Sequence, residues 1–515
     1  MTIVDQPTSP YTGEPVGDAI AHTAPEEVDR RAAAAGRAAE PLAALPLPRR
    51  AGLLRAVADA LEADREALVG LADAETGLGV VRLGGELTRT TVQLAMFADL
   101  VEEGSFLDVI IDLPDPEAVP APRPDLRRML VPIGPVAVFS AGNFPFAFSV
   151  AGGDTASAIA AGCPVVVKAH PGHPGLSART GEIVAAALAG AGGPDGAFTV
   201  VHGLDAGRAL VTHPAIAAVG FTGSLAGGRA LFDLACSRPD PIPFYAEMGS
   251  LNPVVVTPGA LAARGAEVAR GFVASYTLGA GQFCTKPGLL FLPAGHGLDE
   301  VLAVESASAG LPPMLADRIV SAFRRGSAEL AATDGVRTLL PPQSTVETTG
   351  YRVSPVLVAV AAARFAERPL IEECFGPAAV IVEYDSTADL EAALETLPGA
   401  LTATVHAEVD SEPDLARSLI NRFKDRAGRV IWNGWPTGVA VTAAQHHGGP
   451  WPATSAPLHT SVGSTAVRRF LRPVAYQSLP DPLLPAALRD ANPLGLPRRV
   501  NGRSGTGPIT GPLGR

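Results

Sequence analysis

The sequence predicts an α/β protein built on a doubly wound parallel sheet. From residue 134 onward, short β-rich runs (136–139, 165–167, 198–201 and 218–221) alternate with helix-length segments such as 150–161 and 177–189. That rhythm implies parallel strands covered by helices. A second α/β region follows from about 250 to 445, with apolar runs at 253–257, 288–292 and 378–382. The 515 residues are enough for two or three full cores. Right-handed crossovers put the loops after each strand on one edge, where nucleotides usually bind.

The first hundred residues read as helical. Thr23-Ala24-Pro25-Glu26 has the form of a capping box with proline in the first turn, and an Ala-rich run to Glu40 follows. Leu54, Val57 and Leu61 recur at helical spacing, on a helix expected to start near Pro48. Residues 112–125 are Pro-rich and polar, as expected of a crossing segment or linker. Residues 129–153 carry no charge, but Pro132, Pro135, Asn143 and Pro145 make a lipid-facing helix untenable. A buried strand, a turn and the start of a helix explain the stretch better. Residues 501–515, with five glycines and two prolines, read as a flexible tail.

Composition narrows the function classes. The net charge is −12 and the basic residues are scattered, so no track for nucleic acid or an anionic membrane is expected. Cys163, Cys236, Cys284 and Cys374 are too dispersed for a disulfide framework, and no CxxC pair suggests zinc. The N-terminus shows no basic region followed by an apolar core. A cytoplasmic protein is the expectation.

Several residues carry potential chemistry. Cys284, in Gly279-Ala280-Gly281-Gln282-Phe283-Cys284, lies where glycines permit close backbone approach to a ligand. It reads either as a nucleophilic thiolate or as a small buried core residue. Glu247 lies between apolar runs, where a carboxylate tends to have a raised pKa suited to a general base; the alternative is a solvated strand end. Asn143 follows a predicted strand and reads as an oxyanion donor or as a turn residue. Gly223-Ser224 followed by Gly227-Gly228 forms a strand-to-helix turn that offers N–H groups to an anion, without GxGxxG spacing. His170 with His173, and His446 with His447, lie in loops with no matching Cys or acidic set, which argues against a metal.

In combination the motifs GNFPF (Asn143), PVVVK (Lys168), GFTGS (Gly223, Ser224), AEMGSLNP (Glu247), GAGQFC (Cys284) and EECFGP (Glu373, Phe375) resemble the aldehyde dehydrogenase superfamily. The runs RPDLRRMLVPIGPVAVF, AFSVAGGDTASAIAAGCPVVVKAHPGHPG, NGWPTGVAV and HGGPWPAT resemble more closely its NADP-type branch, which holds α-ketoglutaric semialdehyde (2,5-dioxovalerate) dehydrogenases and a bacterial fatty aldehyde dehydrogenase. The resemblance implies Cys284 as nucleophile, Glu247 as the base for a deacylating water, and Asn143 with the Cys284 N–H as oxyanion hole. It further implies Lys168 at the adenosine ribose, Ser224, in the turn with Gly223 and Gly228, at the pyrophosphate, and Glu373 at the nicotinamide ribose. No metal is implied.

Under this resemblance, residues 1–109 and 133–249 are expected to bind coenzyme and 250–445 to form the catalytic domain. Residues 110–132 and 446–500 are expected to build the contacts of a homodimer or homotetramer. Three departures from the family stand out. Pro171 stands where NAD-preferring relatives have a Glu, which favours NADP over NAD, with Arg208 expected at the 2′-phosphate. Gly142 replaces a usual Trp. Ala95 and Leu458 stand where the semialdehyde branch commonly has arginines, which counts against a keto-acid semialdehyde and keeps a fatty or other aliphatic aldehyde open. Glu247 argues against a CoA-acylating relative, and the nucleotide turn argues against a cofactor-free thioester hydrolase.

Overall fold

The computed structural model describes residues 3–343, 349–365 and 370–509. Four helices, Pro25–Ala43, Leu47–Ala63, Arg65–Thr76 and Val80–Glu103, form the N-terminal layer. Leu54, Val57 and Leu61 all lie on the buried side of the second. Thr23 does not cap the first helix. Ala24 precedes it and makes no side-chain capping bond. The Thr23 hydroxyl instead accepts from the His202 N–H at 2.9 Å, and the Thr23 N–H donates to the His202 carbonyl at 3.0 Å. A tertiary partner has won the hydroxyl that the local motif offered to the helix.

The first sheet is five-stranded and wholly parallel, in the spatial order Phe198–Val201, Val165–Lys168, Val136–Phe139, Ala218–Thr222, Phe244–Glu247. The chain enters at the centre, winds outward one way, and returns to wind the other. The switch therefore falls between Val136–Phe139 and Ala218–Thr222, where a crevice opens at the carboxyl ends of the strands. The uncharged stretch is accounted for by the end of strand Leu126–Pro132, strand Val136–Phe139, a loop, and the start of helix Gly153–Ala161. Among the described residues no helix is long and apolar enough to cross a membrane.

The second sheet has seven strands, in the order Arg337–Leu340, Val356–Ala361, Ala378–Tyr384, Leu289–Pro293, Pro253–Val256, Ala400–His406, Ala427–Trp432. The first of these pairs antiparallel and the others parallel. Val255, Leu289 and Phe291 join the core on one face, and Val254, Val256, Leu290 and Leu292 join the core on the other. Burial on both sides explains why these strands read as unbroken apolar runs.

A third sheet orders Leu471–Gln477, Leu126–Pro132, Val109–Asp112, Arg498–Val500 and Arg503–Gly505. Residues 112–125 therefore link two adjacent antiparallel strands, with Asp115 and Arg123 bridged midway. The tail expected from residue 501 is ordered in its first part. Arg503–Gly505 folds back on Arg498–Val500, and the Arg498 guanidinium donates to the Gly507 carbonyl at 2.9 Å. Its glycines supply the hairpin turn, with Gly502 at φ 78°, rather than disorder. Residues 510–515 lie outside the described residues.

Candidate active site

Three chain segments distant in sequence meet at the crevice: the end of strand Phe244–Glu247, the turn before Cys284, and the loop from His446 to Ser461. The turn before Cys284 is strained. Gly279, Ala280 and Gly281 run consecutively in the left-handed region, at φ 58°, 55° and 66°. Ala280 is the residue for which this conformation costs about 1–3 kcal/mol. A Cβ on Gly281 would stand 2.2 Å from the Gly376 carbonyl oxygen, so the turn lies directly on the segment that carries Glu373.

Buried side chains hold that turn. Asn252, itself at φ 47° and fully buried, donates to the carbonyls of Cys284 (2.8 Å) and Lys286 (2.9 Å). Its Oδ1 accepts from the hydroxyls of Ser250 and Thr402. The Lys286 ammonium donates to the carbonyls of Cys374 and Ala378, which fastens the Glu373 segment to the same frame.

At the centre stand Cys284, His447 and Glu247. His447 Nε2 is 3.4 Å from Cys284 Sγ and 2.8 Å from Glu247 Oε1. One ligating atom from each of the three lies within 4.8 Å of the others. Ser461 donates to Glu247 Oε2 at 2.5 Å. The expectation of a raised Glu247 pKa does not hold. Burial pushes this carboxyl up, but the adjacent His447, the Ser461 hydroxyl and the Cys284 thiol outweigh it and hold the group below the usual carboxylate range. The Cys284 thiol moves the other way. Burial and the adjacent Glu247 carboxylate push it well above the ordinary thiol range, with Arg89 acting in the opposite sense. The resting pair is thus a thiol beside a carboxylate, bridged by an imidazole.

Asn143 lies on the same side. Its Nδ2 donates to the Gln282 carbonyl at 2.9 Å, two residues before Cys284, and its own carbonyl accepts from Arg82 at 2.7 Å. An amide nitrogen carries two hydrogens, so a second donor remains for an oxyanion. The missing Trp at 142 has a steric cause. A Cβ there would stand 2.6 Å from the His170 ring, which fills the space. His170 stacks on His173, and His173 is bonded to the Ser177 hydroxyl and the Ala141 carbonyl.

Along the crevice, Ser224 caps helix Leu225–Cys236 by accepting from the Gly227 N–H at 3.2 Å. Gly228 is packed against Met248, where a Cβ would stand 2.6 Å from the sulfur. A Cβ on Gly223 would stand 2.8 Å from the Phe221 ring. Lys168 ends its strand buried, and burial lowers its ammonium to about 8. Burial raises Glu373 to about 7, and its carboxylate lies against Gly249. Phe375 is partly buried beside it. Arg208 is exposed on helix Leu204–Thr212, next to Gly207, whose Cβ would touch Lys168. A helix N-terminus, bare backbone at the turn, a buried ammonium and a carboxylate fit a dinucleotide.

Residues 5–451 match the aldehyde dehydrogenase family. The chain belongs to that family. It is 48% identical over 502 residues to α-ketoglutaric semialdehyde dehydrogenase 2 of Azospirillum brasilense, covering 96% of this chain and 95% of that protein. It is 43% identical to α-ketoglutaric semialdehyde dehydrogenase of Acinetobacter baylyi, covering 95% and 93%. In fold it is similar to a mutant of aldehyde dehydrogenase C from Pseudomonas syringae, solved with NAD+ and octanal, at TM-score 0.77 and 22% identity over 92% of this chain and 93% of that one. This aldehyde dehydrogenase is thus an oxidoreductase that takes aldehydes as substrates and a nicotinamide coenzyme as acceptor.

Sequence reasoning had considered His447 only as a metal ligand and passed over Ser461, Asn252 and Lys286. A single His or Ser in a loop carries no periodic signal. Their roles emerge only in the fold, which brings Asn252 to Cys284 32 positions away and Ser461 to Glu247 214 positions away.

Proposed function

We propose that this aldehyde dehydrogenase oxidises 2,5-dioxovalerate to 2-oxoglutarate, with Cys284 as nucleophile, Glu247 as base and Asn143 as oxyanion donor. The observation that carries the catalytic assignment is the contact of His447 Nε2 with both Cys284 Sγ and Glu247 Oε1. The substrate assignment rests on the relatives named above.

The thiol proton passes to the His447–Glu247 pair as sulfur adds to the aldehyde carbon. Asn143 Nδ2 and the Cys284 N–H hold the resulting oxyanion. A bound nicotinamide supplies the acceptor for the hydride that leaves the thiohemiacetal carbon. Glu247, with Ser461 fixing its second oxygen, then takes a proton from the water that hydrolyses the Cys284 thioester.

Lys168, Gly223, Ser224, Gly228, Glu373 and Phe375 form the coenzyme side of the site. NADP+ is favoured over NAD+, because Pro171 brings no carboxylate against a 2′-phosphate and Arg208 is exposed on the helix whose Gly207 faces Lys168. A cytoplasmic homodimer or homotetramer completes the reading. The outer edge of Leu471–Gln477, unpaired among the described residues, supports assembly through the third sheet.

The test is a kcat/KM panel with 2,5-dioxovalerate, a long-chain and an aromatic aldehyde, each with NAD+ and NADP+, in the wild type and four Cys→Ala variants. Cys284→Ala should lose several orders of magnitude in kcat, while changes at Cys163, Cys236 and Cys374 keep most activity. Retention of more than about a tenth of kcat by Cys284→Ala refutes the nucleophile.

A further inference from the structure

A keto-acid semialdehyde brings a carboxylate into the site, yet the two positions expected to meet it are Ala95 and Leu458, and Leu458 is 91% exposed. The helix Val80–Glu103 offers another cation. It presents Arg82, Glu86, Arg89 and Gln93, spaced by four, three and four residues, and therefore on one face. Two of them are engaged with the oxyanion loop. Arg82 donates to the Asn143 carbonyl, and Glu86 Oε1 accepts from the N–H groups of Phe146 and Ala147.

Arg89 is different. Its guanidinium lies over the Phe148 ring, 5.1 Å from the centroid, and Phe148 in turn lies 6.2 Å from the His447 ring. Its charge interacts with Glu86 first, and then with Cys284 and Glu247. Among the described residues it makes no hydrogen bond or ion pair, and its Nε and Nη2 are buried without a partner. Buried guanidinium donors left open are costly and are normally satisfied. A planar carboxylate is the ligand that matches the two-nitrogen edge of a guanidinium.

We propose that Arg89 binds the carboxylate of the substrate and selects acid semialdehydes over neutral aldehydes. This rests on the reading above that the enzyme takes a semialdehyde acid. The guanidinium packs over the Phe148 ring, and Nε with Nη2 receives the two carboxylate oxygens. The aldehyde end then lies at Cys284.

The experiment compares 5-oxopentanoate with pentanal, equal in carbon number and differing in the charged end. The measured quantity is the ratio of their kcat/KM values, in wild type, Arg89→Met and Arg89→Lys. Loss of a charge-assisted hydrogen-bond pair should lower the acid-to-neutral ratio about 10- to 100-fold in Arg89→Met, while Arg89→Lys, which keeps the charge but not the two-nitrogen edge, recovers only part of the ratio. Should Arg89→Met fail to fold, Arg89→Gln, which keeps most of the length over Phe148, must show the same fall. If both substrates lose activity in parallel and the ratio stands, Arg89 acts on Cys284 alone and the proposal is overturned. If wild type favours pentanal, the acid-semialdehyde reading itself fails, independently of Arg89.

Discussion

His447 Nε2 lies 2.8 Å from Glu247 Oε1, and this contact reverses the electrostatics expected of a carboxyl buried at the end of an apolar strand. Burial alone would push Glu247 toward its protonated form. With the imidazole and Ser461 against it, the group is an ionised carboxylate available to draw a proton toward itself.

The first prediction concerns His447. It is the side chain in contact with both sulfur and carboxylate, so its removal breaks the path for the thiol proton. Burial then leaves Cys284 a thiol. His447→Ala should lower kcat by roughly 10²–10⁴ and slow iodoacetamide alkylation of Cys284 at pH 7. Alkylation at the wild-type rate would show that the imidazole does not activate the sulfur.

The second concerns Asn252. Replacing it with Ala strands the carbonyls of Cys284 and Lys286 and two buried hydroxyls. It also puts a residue without a local hydrogen-bonding side chain at φ 47°. The cost should be about 3 kcal/mol, from two or more unsatisfied buried groups. Thermal unfolding should start several degrees lower, and kcat should fall because the strained turn loses its anchor. An unchanged unfolding profile would contradict this role.

The third concerns pH. Burial depresses the Lys168 ammonium to about 8, with Asp5 raising it and Arg318 lowering it further. The side chain is charged below that value and neutral above it. An ammonium offers three donors and a positive charge to the coenzyme, whereas the amine offers less. KM for NADP+ should therefore rise several-fold between about pH 7 and about pH 9.5, and Lys168→Arg should flatten the rise. A flat wild-type profile argues against Lys168 as a coenzyme contact.

The residues differ in how much of this was legible in the sequence. Strand Val136–Phe139 and its parallel neighbours were readable because β-branched runs flanked by turn residues have few alternatives. Cys284, Glu247 and Asn143 were readable as candidates because glycines and strand ends frame them. The sign of the Glu247 shift was not readable, since it depends on His447 and Ser461, which reach it only through the fold. Thr23 misled for the same reason. A hydroxyl suited to a local cap took a distant N–H instead. Gly142 was visible as a departure, but the His170 ring that fills its space was not.

The final prediction separates the two halves of the reaction. On the proposed mechanism, hydride transfer needs the Cys284 sulfur and the oxyanion donors, whereas thioester hydrolysis alone needs an activated water. Glu247 touches His447 on one oxygen and Ser461 on the other. Gln at this position keeps a carbonyl oxygen for one of these partners but cannot take a proton. His447 still contacts sulfur in that variant, so the first turnover should survive, slowed by about tenfold through loss of the carboxylate behind the imidazole. Steady-state turnover should fall by roughly 10²–10⁴, the usual contribution of a general base. Rapid mixing at 340 nm with excess aldehyde should therefore show about one NADPH per active site released ahead of a slow phase. Mass spectrometry of the quenched protein should find an acyl adduct on Cys284. Loss of the burst itself would mean that Glu247 is required before hydride transfer, and that His447 cannot take the thiol proton without it.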